Sequence, residues 1–192
     1  MSLIVNTLAL PEIKEIIPAR FGDHRGYFTE SYNQARFVEN GIDYDWVQDN
    51  HSFSKERGVV RGLHYQIPPV AQDKLVRVVT GEVLDVAVDI RKGSLTFGKW
   101  VSLVLSADKG NQILVPAGFA HGFMTLTPDV HMVYKVSAPY STAHDRSIRF
   151  DDPEIAIDWP VEGVPHISEK DEAAPWLKDA DTGFVFDDRA AR

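Results

Sequence analysis

The 192-residue chain has no cysteine. That absence excludes a disulfide framework, a thiolate zinc site and a cysteine nucleophile. Positive charge is also scarce: 20 Lys and Arg against 28 Asp and Glu give a formal net charge of −8. Non-specific binding to nucleic acid needs a basic surface, so this balance argues against it. One small basic pocket for an anionic ligand remains compatible with it. No run reaches the ~18 apolar residues of a membrane span. The first residues, interrupted by Glu12, Lys14 and Glu15, lack the basic-then-apolar layout of a signal peptide. The expectation is a cytoplasmic protein with no membrane and no nucleic-acid partner. There is no Gly-x-Gly-x-x-Gly and no complete phosphate loop ending in Lys-Ser or Lys-Thr, which removes the usual dinucleotide and phosphate-loop readings.

What is present is ordinary globular composition, 44% hydrophobic and 25% charged, in a chain long enough for one domain with a sizeable core. The middle reads as strands. From Glu82 to Arg91, Leu84, Val86, Val88 and Ile90 alternate with Val83, Asp85, Ala87 and Asp89, so one strand face is aliphatic and the other bears two carboxylates. Val101, Leu103 and Leu105 alternate in the same way, and Leu75–Thr80, Ile113–Val115, Gly122–Leu126 and Met132–Val136 are further β-rich runs. Gly81, Gly93, Gly98, Gly110, Pro116 and Gly118 punctuate them. Closely spaced short strands separated by turn residues predict a β-sandwich, jelly roll or barrel. The best helical window is Asn33–Asn40, stopped by Gly41, and a second short helix is expected after an N-capping Ser168. The Asp- and Pro-rich stretch 151–165 is expected to wrap the sandwich, and residues 187–192 to fray. The chain divides into an N-terminal strand or arm (about 1–50), a core (about 51–150) and a C-terminal wrap (about 151–192) of a single domain 1–192.

Several polar residues are not needed by a β-core. Arg61 and His64 flank Gly62, with Lys74 and Arg77 downstream. In a regular strand Arg61 and His64 face opposite sides unless Gly62 marks a bulge. From local sequence alone, His64 is equally a hydrogen-bonded packing histidine. His121 follows a Pro-x-Gly turn (Pro116–Gly118) at the start of a strand, the place of a metal ligand in metal-binding cupins. However, the earlier segment reads His64-Tyr65-Gln66 with no Glu over 67–73, and two separated imidazoles do not complete a divalent site. Tyr134 on a strand reads as packing with its hydroxyl at a rim, or as a proton donor. The charge run Ser168-Glu169-Lys170-Asp171-Glu172 reads as a solvated helix face, or as one carboxylate that orients a distant imidazole.

In order along the chain stand Phe21-Gly22-Asp23-x-Arg25-Gly26, Val47-Gln48-Asp49-Asn50-His51, Arg61-Gly62-Leu63-His64-Tyr65-Gln66, Lys74-Leu75-Val76-Arg77, Asp85–Arg91, Pro116–Phe123, Tyr134-Lys135 and Ser168–Asp171. Together they resemble the dTDP-4-dehydrorhamnose 3,5-epimerase family over roughly residues 3–175, and many ordered motifs are far more specific than any one of them. The resemblance implies an all-β, cupin-type jelly roll with a few short flanking helices, and no metal or other cofactor. The implied substrate is a dTDP-4-keto-6-deoxy sugar, dTDP-4-dehydro-6-deoxy-D-glucose, epimerised at C3 and C5. In catalysis it implies His64 as base, Asp171 as its orienting carboxylate, Tyr134 as proton donor and Lys74 as the cation at the enolate oxygen. For substrate binding it implies Arg25, Glu30, Gln48, Asn50, Arg61, His121, Tyr140, Asp145 and Lys170. It also implies a homodimer in which the N-terminal segment reaches the partner's site. The chain departs from its relatives at Val136-Ser137-Ala138-Pro139-Tyr140, where they often carry an Asn and paired Tyr. Epimerisation at one carbon on a related dTDP-4-keto sugar is therefore the alternative, ahead of a metal-dependent cupin or a non-catalytic sugar-nucleotide binding module.

Overall fold

The computed structural model describes residues 2–186; the expected fraying over 187–192 lies outside the described residues. The β-branched and aliphatic runs form strands in the order β1 (Leu3–Thr7), β2 (Lys14–Pro18), β3 (Arg20–Asp23), β4 (Gly26–Thr29), β5 (Gln48–Ser54), β6 (Val60–Gln66), β7 (Lys74–Thr80), β8 (Glu82–Asp89), β9 (Trp100–Ser106), β10 (Gln112–Val115), β11 (Phe119–Thr125), β12 (Val130–Val136) and β13 (Asp145–Ser147). A six-stranded sheet has the order β1-β2-β10-β7-β12-β5, a five-stranded sheet the order β13-β6-β11-β8-β9, and β3-β4 make a separate ribbon. The named strand pairs are antiparallel throughout. The two larger sheets face each other as a jelly roll of the cupin type.

The inner layer joins Val76 and Val78 of β7 and Val130 and Met132 of β12 to Val83 and Ala87 of β8 and Phe119 and Phe123 of β11. The alternation along β8 therefore holds, but both of its faces are buried. Asp85 shares the inner face with Val83 and Ala87, whereas Val86, Val88 and Ile90 pack outward beneath Ile155, Leu177 and Ala180. The stretch after β13 thus covers the outer face of the five-stranded sheet, and Ile157 and Trp159 lie against the same cluster.

Helix α1 (Gln34–Glu39) begins where expected, because the Asn33 side chain accepts the Arg36 N–H. Helix α2 (Glu169–Glu172) is capped in the same way, with Ser168 accepting the Asp171 N–H. Among the described residues no helix is long and apolar enough to cross a membrane. The segment Gly93–Lys99 has the Gly and Lys spacing of a phosphate loop, but Trp100 stands where that motif needs a hydroxyl. Its Ser94 and Thr96 hydroxyls donate to the buried Asp89 carboxylate, each at 2.6 Å, so this turn wraps an anion of its own chain.

Candidate active site

The site begins with a broken register. On β6 and β11, His121 lies opposite His64 and Phe123 opposite Arg61, so that Gly62 and Leu63 stand against Gly122 alone. The extra residue is a bulge, and it brings Arg61 and His64 to the same cavity despite a spacing that strict alternation would split. Gly62 makes the bulge possible. Its φ is +125°, and a Cβ there would stand 2.6 Å from Gly122 Cα and 2.8 Å from the His121 carbonyl oxygen. Those contacts are backbone, with nothing flexible to yield. Gly62→Ala is accordingly expected to destabilise the fold by about 1–3 kcal/mol, read as a lower denaturant midpoint. A midpoint equal to that of the parent would show that the bulge tolerates a side chain.

The cavity, of about 300 Å³, opens between the two sheets. From the five-stranded sheet come His64 and His121, and each imidazole meets a carboxylate. His64 Nε2 lies 2.6 Å from Asp171 Oδ1, and Asp171 Oδ2 accepts the Gly62 N–H at 3.3 Å. Burial works to raise the Asp171 carboxyl, but the hydrogen bond and charge of His64 and the Gly62 N–H together hold it below the usual carboxylate range. His121 Nε2 lies 2.9 Å from both oxygens of Asp85, which is fully buried. Among the described residues no group of three or more His, Asp or Glu is placed to hold a metal ion.

From the six-stranded sheet come Lys74 and Tyr134. The buried Lys74 ammonium donates to the His64 carbonyl oxygen at 3.2 Å. Burial pushes its pKa down to about 8, partly opposed by Asp85 and Asp145. Burial also pushes the Tyr134 phenol above its ordinary value, with Arg61 opposing and Asp145 adding to the rise. The rim is a hydrogen-bonded chain. Gln48 Nε2 donates to Asn50 Oδ1 at 2.7 Å, the Tyr140 N–H donates to Gln48 Oε1 at 3.2 Å, and the Tyr140 hydroxyl donates to Asp145 Oδ2 at 3.2 Å. Lys170 donates to the same Asp145 oxygen at 2.5 Å. Arg61 is aimed by Ser54 Oγ at 3.2 Å and the Phe53 carbonyl at 2.9 Å.

Eleven of the thirteen residues singled out from sequence converge here: Gln48, Asn50, Arg61, His64, Lys74, His121, Tyr134, Tyr140, Asp145 and Lys170 line the cavity, and Asp171 stands behind His64. Arg25 and Glu30 do not reach the cavity of their own chain. Arg25 sits at the exposed tip of the β3–β4 ribbon paired with Asp23, and Glu30 pairs with Arg36 at 3.0 Å. Asp85 was not singled out, although a signal existed: a carboxylate on an aliphatic strand must have a partner if it is buried. Gln66 and Gln72 were also missed. They fasten the departing loop, with Gln66 Nε2 donating to the Pro139 carbonyl at 3.2 Å and Gln72 Nε2 to the Ala138 carbonyl at 2.8 Å. Pro139 therefore leaves Tyr140 at the cavity rim.

An acid, a base and a buried cation around one cavity are the parts needed to move a proton beside a carbonyl. A family model described as dTDP-4-dehydrorhamnose 3,5-epimerase matches residues 7–179. A dTDP-4-dehydrorhamnose 3,5-epimerase of Sinorhizobium fredii is 51% identical over 180 residues, 94% of this chain and 92% of that protein. The crystal structure of dTDP-6-deoxy-D-glucose-3,5-epimerase from Legionella pneumophila in complex with dTDP-4-keto-L-rhamnose superposes with a TM-score of 0.92 at 43% identity, covering 97% of this chain and all (100%) of that one. A 3′-monoepimerase from Streptomyces bikiniensis, in complex with dTDP-quinovose, superposes with a TM-score of 0.84 at 36% identity, covering 90% and 87%.

Proposed function

The chain belongs to the dTDP-4-dehydrorhamnose 3,5-epimerase family, and from that membership we propose that it converts dTDP-4-dehydro-6-deoxy-D-glucose to dTDP-4-dehydro-L-rhamnose, a step of dTDP-L-rhamnose synthesis. C3 and C5 both lie alpha to the C4 ketone, so loss of either proton gives an enolate with its charge on O4. In the D-gluco chair both hydrogens are axial on the same ring face. One base on that face and one acid on the other therefore serve both carbons.

The observation that carries this reading is that His64 comes from β6 of one sheet and Tyr134 from β12 of the other, on a shared cavity. A sugar ring lying between the sheets would meet the base on one face and the phenol on the other. Asp171 fixes the His64 tautomer and steadies the imidazolium. Lys74 meets the charge that develops on O4. Arg61 and Lys170 take the diphosphate; a planar guanidinium suits phosphate oxygens. Gln48, Asn50, His121, Tyr140 and Asp145 line the remainder of the binding site.

The test is NMR of the substrate with the protein in heavy water. Deuterium is expected at both C3 and C5, and exchange at neither would overturn the function. The alternative, inversion of a single carbon, rests on the altered loop at Ala138-Pro139 and on the similarity to the 3′-monoepimerase. Exchange at one carbon alone would decide for it.

The functional unit in this reading is a homodimer in which the β3–β4 ribbon, with Arg25 and Glu30, completes the partner's site. Tyr27 and Phe28 of that ribbon are exposed in the single chain, and Arg20 anchors its base by donating to the Ala107 and Asp108 carbonyls. Mixing inactive Arg25→Ala and His64→Ala proteins is expected to restore about one quarter of the parent activity if subunits re-pair at random, since half of the subunits then lie in mixed dimers, each with one intact composite site. No recovery after subunit exchange would place Arg25 outside any shared site.

A further inference from the structure

Strand pairing beside the cavity stops at Val136, where β12 lies opposite Gln48 on one side and Lys74 on the other. The next residues, 137–141, carry Tyr140 across the rim outside any strand. Backbone groups without a ladder need other partners when they are shielded from water. Here side chains supply them. The Ser137 hydroxyl accepts the Asp73 N–H at 2.8 Å and donates to the Asp73 carboxylate at 2.7 Å. Gln72 takes the Ala138 carbonyl and Gln48 the Tyr140 N–H. Gln66, only 3% exposed, uses both ends of its amide. Its Oε1 accepts the Ser141 N–H at 2.7 Å, and its Nε2 donates to the Pro139 carbonyl at 3.2 Å and the Val70 carbonyl at 2.7 Å. One buried amide thus holds the residue before Tyr140 and the residue after it.

Tyr140 itself is 56% exposed. The far end of its ring is nevertheless fixed, because its hydroxyl donates to the Asp145 oxygen that also takes Lys170. Lys170 is assigned to the diphosphate above, so the ring stands beside the diphosphate on the open rim, whereas Lys74 and His121 are buried. On a nucleoside diphosphate sugar, the group on the outer side of the diphosphate is the nucleoside. We propose that Gln66 is a positioning residue for nucleotide recognition: through the 137–141 loop it presets the Tyr140 ring as a platform for the nucleoside, an inference that rests on the dTDP ligand given above. An aromatic face offers stacking to a base. A ring on an unfastened loop would have to be ordered when the ligand arrives, and the amide clamp removes that cost beforehand.

The test is a double-mutant cycle read by calorimetry with dTDP. No turnover is involved, so its outcome stands apart from the isotope-exchange test of the reaction. Tyr140→Ala is expected to weaken dTDP about 10-fold, the loss of one stacked base. Gln66→Met, an apolar side chain of similar length, is expected to weaken it about 3- to 10-fold while inorganic pyrophosphate binds as in the parent. In the Tyr140→Ala background the same Gln66→Met change is expected to cost less than about 1.5-fold, because the clamp then has no ring to place. An equal loss in both backgrounds would make Gln66 a direct contact or a general support of the site, and overturns the proposal. So do parent-like dTDP affinity in Gln66→Met or in Tyr140→Ala, and a loss of pyrophosphate affinity in Gln66→Met equal to that of dTDP. Should Gln66→Met fail to fold, Gln72→Met, which frees the Ala138 carbonyl of the same loop, is put through the same cycle with the same criteria.

Discussion

His64→Ala is expected to lower deuterium exchange at C3 and at C5 together by about 10²- to 10⁴-fold, the range a positioned general base supplies, while dTDP binds as in the parent. The joint loss follows from geometry. His64 Nε2 is engaged by Asp171 at 2.6 Å. With that carboxyl held below its usual range, the neutral imidazole donates from Nε2 and keeps the Nδ1 lone pair free. One such lone pair on the axial face reaches both hydrogens, so removing it stops both exchanges. The unchanged dTDP affinity follows from the groups proposed to hold the nucleotide and diphosphate, which hang on other anchors: Arg61 on Ser54 and Phe53, and Lys170 on Asp145. Exchange lost at one carbon only would require a second base, and the Asp85-paired His121 would be its first candidate. Equal loss of dTDP affinity would instead make His64 a binding residue.

The sequence made the framework legible wherever packing obeys a simple period. The 83–90 alternation found β8, and the Asn33 and Ser168 caps fixed the starts of α1 and α2. The period could not say which face of β8 points inward. An aliphatic face suggests the interior, yet here it packs beneath the C-terminal wrap, while the face with Asp85 looks into the barrel. Both faces are buried, so hydrophobicity carries no directional information. At Gly62 alternation would have separated Arg61 from His64. Only the tertiary approach of Gly122, too close for a Cβ, explains the bulge that joins them. That Asp85 needs a partner was legible, but that the partner is His121 was not: the two are 36 residues apart on adjacent strands, and no local pattern links them.

Lys74→Met is expected to cut the rate of epimerisation by about 10²- to 10³-fold, the loss seen when one oxyanion donor is removed, while the melting temperature holds or rises. The two halves have one cause. Lys74 is buried with its pKa pushed down to about 8, against about 10.4 for a free lysine. The folded chain therefore holds this proton less tightly than the unfolded chain does. Below pH 8 the ammonium is charged in both states, and burial costs about 3 kcal/mol of stability, because each tenfold loss of proton affinity is worth roughly 1.4 kcal/mol. As pH rises from 8 toward 10.4 the folded group becomes neutral first, the unfolded chain binds more protons, and that penalty fades. An apolar side chain of similar length never incurs it. The stability advantage of Lys74→Met should thus be greatest near neutral pH and shrink on the alkaline side, in paired thermal melts across that range. The parent rate should decline over the same range, above about pH 8, as the ammonium beside O4 loses its charge. A lysine that served only to pair with Asp85 and Asp145 would behave differently: Lys74→Met would melt earlier and keep most of its rate, and that result would remove Lys74 from the reaction.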